Sequence, residues 1–166
     1  MSFLTVPLEN IHKKKEFDCG KSPLNQYLHI QAKQDVKRRL SACFVLADDQ
    51  NRIEGYYTLS NASISREFVP EDILKKMPPT YQDLPATLLG RLAIDTSSKG
   101  KGLGRDLLID ALKRSFETSK TVGSMAVIVD PLDEDAENFY LKYGFIKLPD
   151  SGKMFLPMAT IGTLFS

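Results

Sequence analysis

Apolar residues recur at three-and-four spacing through Leu103, Leu107, Leu108, Ala111, Leu112, Ser115 and Phe116, which predicts a helix with one buried face. Upstream, the runs Cys43 to Ala47 and Ile53 to Ser60 read as strands, parted by the turn-forming Asp48-Asp49-Gln50-Asn51. An earlier helix is predicted from Ser22-Pro23, a capping residue followed by proline at the first helical position. Leu24, Tyr27 and Leu28 give its first turns an apolar face, whereas the continuation from Gln31 to Arg39 is polar nearly all round and is expected to meet solvent or a partner. A short helix near Glu71 to Lys76 runs into Pro78-Pro79, and a loop leads to a strand that ends at Asp95. The last third alternates an apolar strand at Met125 to Val129, a helix from Asp133, a strand at Lys153 to Pro157 and a short tail helix. That order predicts a mixed α/β sheet flanked by helices.

Between the strand ending at Asp95 and the helix opening at Leu103 lies the basic, glycine-rich turn Lys99-Gly100-Lys101-Gly102-Leu103-Gly104-Arg105. Glycines at alternate positions let backbone approach a ligand closely, and the first amides of the following helix have no internal acceptor. With the helix dipole and Lys99, Lys101 and Arg105, the turn favours a bound anion. A P-loop would need Gly-Lys-Ser/Thr, but Gly104 is followed by Arg105 and Asp106, which argues against ATP or GTP. A dinucleotide fold would need its glycines after the first strand and an acid about twenty residues on, where this chain has Lys120.

Composition narrows the class. A chain of 166 residues with 42% hydrophobic content fits one folded domain spanning 1–166. No long apolar run suggests a membrane, and Lys13-Lys14-Lys15 follows residues too polar for a signal peptide. Cys19 and Cys43 are scattered, in keeping with reduced thiols in the cytoplasm. His12 and His29 are too few and too far from acid clusters to propose a metal site.

The turn follows the pyrophosphate-loop pattern Gln/Arg-x-x-Gly-x-Gly/Ala, with Lys99 in place of the usual first residue. Some twenty residues after the turn, past the strand Met125 to Val129, comes Ala136-Glu137-Asn138-Phe139-Tyr140-Leu141-Lys142-Tyr143-Gly144-Phe145. Together the two motifs resemble those of the GNAT acyltransferase superfamily. The resemblance implies acetyl-CoA as cosubstrate, and a mostly antiparallel sheet in which the strand bearing Leu92, Ala93 and Ile94 splays from its neighbour to pair with pantetheine. It also implies a cofactor contact for Asn138 and places the Tyr140 phenol at the coenzyme A thiol. Further stretches, Phe17-Asp18-Cys19-Gly20, Gly55 to Ser60, Leu89 to Ala93 and Phe155 to Ile161, are similar to the GNAT toxins of type II toxin–antitoxin systems. Members of that group acetylate the α-amine of aminoacyl-tRNA. The resemblance then implies a ribbon-helix-helix antitoxin as partner, with operator DNA reached only through the toxin–antitoxin complex. A homodimer stays open as an assembly.

Acetyl transfer needs a nucleophilic amine, donors for the tetrahedral oxyanion and a proton for the departing thiolate. Tyr140 is the best-placed acid, since a phenol of pKa about 10 donates without needing to ionise. No histidine lies in the second half of the chain, and Asp130, Asp133, Glu134, Asp135 and Glu137 are explained as helix-start charges. A weak general base favours an α-amine, at about 7.7 to 8.0, over a lysine at about 10.4. Net charge is only +1, so any RNA contact must be local. Lys33, Lys37 and Arg38 on the polar helix tail, with Arg66 and Arg91, are the candidate phosphate contacts. Two alternatives stand beside the toxin: a GNAT enzyme for a small amine or protein N-terminus, and a non-catalytic module that binds coenzyme A or an antitoxin.

Overall fold

The computed structural model describes residues 2–166. Seven strands, β1 (Val6–Pro7), β2 (Ala42–Ala47), β3 (Ile53–Ser65), β4 (Asp83–Ile94), β5 (Ala126–Val129), β6 (Ile146–Lys147) and β7 (Met154–Pro157), follow the order β1-β2-β3-β4-β5-β7-β6. The β4–β5 pair is parallel, and β1–β2, β2–β3, β5–β7 and β6–β7 are antiparallel. This is the mixed sheet that the order of apolar runs predicts, and it is mostly antiparallel as the GNAT resemblance implies. The chain forms two compact units: one holds the residues up to Ser60 with Leu89–Arg114, the other Asn61–Leu88 with Ser115–Ser166.

In the first unit, α1 (Ser22–Gln26) passes through a π-helical segment, Tyr27–Gln31, into α2 (Ala32–Lys37). The helix starts one residue earlier than predicted: Lys21 is the N-cap and no side chain closes it, so Ser22 is not the capping group. The entry turn is fixed instead by Asn25, whose Oδ1 accepts from the Cys19 amide at 2.8 Å while its Nδ2 donates to Asp18 Oδ1 at 2.9 Å. The polar tail is also held more firmly than its pattern suggests. Ala32 is fully buried, and the Tyr27 hydroxyl donates to Asp35 Oδ2 at 2.8 Å, while Lys33, Lys37 and Arg38 remain exposed. The core joins Phe17, Tyr27, Leu28, Cys43, Val45, Ile53, Tyr56 and Ala93, each large side chain contributing roughly 1.5–3 kcal/mol by leaving water. In the β2–β3 turn, the Asp48 carboxylate accepts from the Gln50 and Arg52 amides at 2.9 Å, which holds it below the usual carboxylate range.

Helix α4 (Leu103–Ser119) buries Leu107, Leu108, Ala111, Leu112 and Ser115 as its period predicts, whereas Leu103 and Phe116 are only half-buried. Asp110, absent from the predicted face, is buried as well. Three donors compensate its desolvation: the Leu4 amide at 2.7 Å, Thr5 Oγ1 at 2.6 Å and Tyr57 OH at 2.8 Å. Arg114 completes the cluster by donating to Tyr57 OH at 2.9 Å and lying about 4 Å from the rings of Phe3 (4.0 Å) and Phe44 (3.9 Å).

In the second unit, β5 is buried along its whole length and pairs with β7 from Ala126–Pro157 to Val129–Met154. Its core gathers Ile64, Val69, Leu84, Ala86, Ala126, Ile128, Leu148 and Phe155. The short helix α3 (Glu71–Leu74) precedes the proline pair, α5 (Glu134–Lys142) is capped by the Asp133 carboxylate accepting from the Ala136 amide at 2.9 Å, and α6 (Met158–Leu164) ends the chain.

Candidate active site

Strand β4 leads through Asp95 and a 3-10 turn, Thr96–Ser98, into the glycine-rich loop. Asp95 anchors that turn by accepting from the Ser97 amide at 3.0 Å and from the Asp18 amide at 2.9 Å. Burial pushes its carboxyl up, but the bonds from Ser97 and Asp18 outweigh this and hold it below the ordinary range. Gly100 and Gly102 adopt φ of +83° and +76°, a left-handed conformation that costs any L-residue roughly 1–2 kcal/mol. The first α4 bond runs from the Asp106 amide to the Gly102 carbonyl at 3.2 Å, so the amides of Leu103, Gly104 and Arg105 precede any helical acceptor. A Cβ placed on Gly100 would meet nothing within 4 Å, which marks open space against the loop backbone. Free amides, left-handed glycines and open space fit a diphosphate.

The basic side chains divide. Lys99 is turned back, its Nζ donating to the Cys19 carbonyl at 2.7 Å, and the Thr96 amide donates to the Asp18 carbonyl at 2.8 Å. The segment Asp18 to Gly20 thus braces the base of the loop, a role that nothing in its local pattern announces. Lys101 is exposed, and Arg105, also exposed, lies 3.3 Å from the neighbouring Asp106 carboxylate. On β4, Ala93 is buried in the core while Leu92 and Ile94 are half-buried. The parallel pairs between β4 and β5 are Thr87–Val127 and Leu88–Ile128, and β4 continues past them from Leu89 to Ile94.

In the second unit, α5 carries the aromatic motif. Tyr140 is buried, its ring 5.3 Å from Phe139 and 5.2 Å from Phe145. Its hydroxyl makes no hydrogen bond to a described residue, and burial alone pushes the phenol pKa upward, so it stays protonated throughout the neutral range. Asn138 is exposed on the same helix. Among the candidate phosphate contacts, Lys33, Lys37 and Arg38 are exposed, but Arg66 is engaged by the Pro78 and Tyr81 carbonyls at 3.0 Å each. Arg91 lies over the Tyr27 ring, 3.5 Å from its centroid. Among the described residues no group of His, Cys, Asp and Glu is placed to hold a metal, and no helix is long and apolar enough to cross a membrane.

The strand order and the left-handed glycine loop that follows β4 fit an acetyl-CoA-dependent N-acetyltransferase, and the chain belongs to the GNAT acetyltransferase family. Residues 81–159 match the acetyltransferase (GNAT) domain. A tRNA-acetylating toxin of Mycobacterium tuberculosis is 33% identical over 129 residues, covering 78% of this chain and 75% of that protein. A probable toxin TacT of Sinorhizobium fredii is 31% identical over 168 residues, covering 95% and 92%. Among solved structures, AtaT complexed with acetyl-methionyl-tRNAfMet has a TM-score of 0.90 and 30% identity, covering 99% of this chain and 100% of that one. A tyrosine-to-phenylalanine AtaT toxin bound to acetyl-CoA and the C-terminus of its antitoxin AtaR gives 0.81 and 27%, covering 98% and 97%. The AtaT–AtaR complex bound to DNA gives 0.78 and 28%, covering 98% and 99%.

Proposed function

We propose that this protein transfers an acetyl group from acetyl-CoA to the α-amine of aminoacyl-tRNA and so arrests translation. The observation that carries the reading is the loop at Gly100 and Gly102, whose left-handed backbone and free helix-start amides suit a diphosphate. Acetyl-CoA, when bound, supplies the activated thioester. Lys101 and Arg105 add positive charge at the loop, and Lys99 holds the loop to the Cys19 carbonyl. The main-chain groups of Leu92, Ala93 and Ile94, beyond the last β4–β5 pair, bind the pantetheine amides. Asn138 contributes a polar contact to the cofactor. Tyr140, kept protonated by burial, donates its phenolic proton to the departing sulfur. With no histidine in the second half of the chain, the unprotonated α-amine of an aminoacyl ester, well populated near neutrality, attacks the thioester carbon. The amide forms as the C–S bond breaks, and the nitrogen gives up one proton to water, which returns one to Tyr140.

Lys33, Lys37, Arg38 and Arg91 bind tRNA phosphates, while Arg66 serves the second unit's loop first and RNA second. The partner that neutralises the protein is a ribbon-helix-helix antitoxin, through which the pair reaches operator DNA. The toxin acts in the cytoplasm. The tRNA, antitoxin and DNA parts of this reading are supported by the tRNA-bound, antitoxin-bound and DNA-bound AtaT structures that the chain resembles. Incubating the protein with total charged tRNA and labelled acetyl-CoA is the test: label must appear on the amino group of the esterified amino acid. Label on free amines alone would replace this function with small-amine acetylation.

A further inference from the structure

The guanidinium of Arg91 is held in place by a ring contact rather than by a hydrogen bond to a described residue. It lies 3.5 Å from the centroid of Tyr27, whose ring stacks on Tyr56 at 6.4 Å and 10° and whose hydroxyl is bonded to Asp35. A tyrosine packed against a second ring and bonded at its hydroxyl gives the guanidinium a rigid platform. Yet among the described residues no oxygen accepts a hydrogen bond from Arg91, in contrast with Arg66 and Arg114, which are both engaged.

Thr58 presents a second group unpaired among the described residues. It is buried, and among the described residues its Oγ1 is the buried side-chain oxygen that has no partner. Such a hydroxyl is costly to leave unpaired. The Asp95 amide bonds the Glu54 carbonyl and the Arg66 amide bonds the Gln82 carbonyl, so β3 and β4 run antiparallel. Counting inward from Glu54 and Asp95 sets Tyr56 across from Ala93, two residues of one core cluster, and Thr58 across from Arg91. The opposite face of these strands belongs to α4, since a Cβ on Gly55 would fall 2.6 Å from Leu107 Cδ1 and 2.9 Å from Ile94 Cδ1. Arg91 therefore shares its face with Tyr27 and the helix that leads into Lys33, Lys37 and Arg38.

We infer that Arg91 and Thr58, juxtaposed across β3 and β4 on the Tyr27 face, form a subsite for an oxyanion of the acceptor substrate. The inference rests on the acetyltransferase reading above and extends it to substrate choice. A planar guanidinium and a neutral hydroxyl are complementary to a phosphate or carboxylate oxygen. In aminoacyl-tRNA the oxyanion is a phosphate of the acceptor end; in a free amino acid it is the carboxylate.

The test compares Arg91→Lys, Thr58→Val and the unaltered protein on three acceptors: charged tRNA, the free amino acid and its methyl ester, which has no oxyanion. Arg91→Lys keeps the charge and loses the fork. It is expected to lower kcat/KM on the anionic acceptor about tenfold or more beyond its effect on the ester. Thr58→Val removes the unpaired hydroxyl at nearly constant shape, so it is expected to hold or raise Tm while cutting kcat/KM on the same acceptor several-fold. Filter retention of charged tRNA reads the same variants independently of turnover, and acetyl-CoA calorimetry checks that each variant is folded. If the unaltered protein acetylates the free amino acid and not charged tRNA, the tRNA reading falls and the subsite is assigned to a carboxylate. Equal effects on ester and anionic acceptors, or a Thr58→Val protein with raised Tm and full activity, overturn the subsite.

Discussion

Replacing Tyr140 by phenylalanine separates chemistry from packing, because the structure assigns the ring and the hydroxyl different surroundings. The ring is fixed by Phe139 and Phe145, contacts that phenylalanine keeps. The hydroxyl bonds to no described residue, so its loss removes no internal hydrogen bond, and stability should change by less than about 1 kcal/mol. For a chain of this length that is a Tm shift within about 2–4 °C. If the phenol protonates the thiolate, turnover should fall roughly a hundredfold, equivalent to about 2.7 kcal/mol of transition-state stabilisation. Initial rates with charged tRNA, thermal unfolding and acetyl-CoA calorimetry on one preparation read all three quantities. The pH profile adds a sign. Burial raises the Tyr140 pKa, so the phenol keeps its proton as pH rises to 10 and the rate should show no falling limb from its ionisation below that value. Unaltered turnover in Tyr140→Phe, or a falling limb below pH 10 that the variant abolishes, would refute the assignment.

Four further outcomes are expected. Gly104→Val, within the first turn of α4, should leave the protein folded and weaken acetyl-CoA binding in calorimetry; normal affinity would remove the loop from the site. Gly55→Ala should lower Tm by about 2–12 °C, since its Cβ would fall 3.0 Å from the Ala93 carbonyl as well as against Leu107, and overpacking costs about 1–3 kcal/mol; an unchanged Tm would contradict the close approach of α4 to β3. The double variant Lys33→Glu, Lys37→Glu should impair acetylation of charged tRNA more than that of an aminoacyl ester and reduce the salt slope of tRNA binding by roughly two units, and equal losses on both acceptors would argue against an RNA face on α2. Stability should decline as pH rises above about 10, because burial raises the pKa of Tyr27 to about 12 and lifts Tyr56 and Tyr57 as well, so the unfolded chain releases protons that the folded chain retains; unfolding curves at pH 8 and 10.5 with equal Tm would count against it.

Local pattern along the chain carries much of the fold. Three-and-four spacing fixes the buried face of α4, the Asp133 cap opens α5, and Gly100 and Gly102 announce a backbone that other residues disfavour. The two motifs were enough to name the cosubstrate, because loop and helix each lie within one short stretch of chain. Which polar side chains are engaged follows from long-range packing instead. Asp110 is buried because its partners arrive from 53, 105 and 106 residues away, Lys99 is drawn to a carbonyl 80 residues away, and Arg91 finds Tyr27 across the face of the sheet. A charged or hydroxyl-bearing residue carries no periodic signal of its partner. Whether it pairs, braces a loop or stays available depends on strand order and register, and these are set by the packing of the whole sheet.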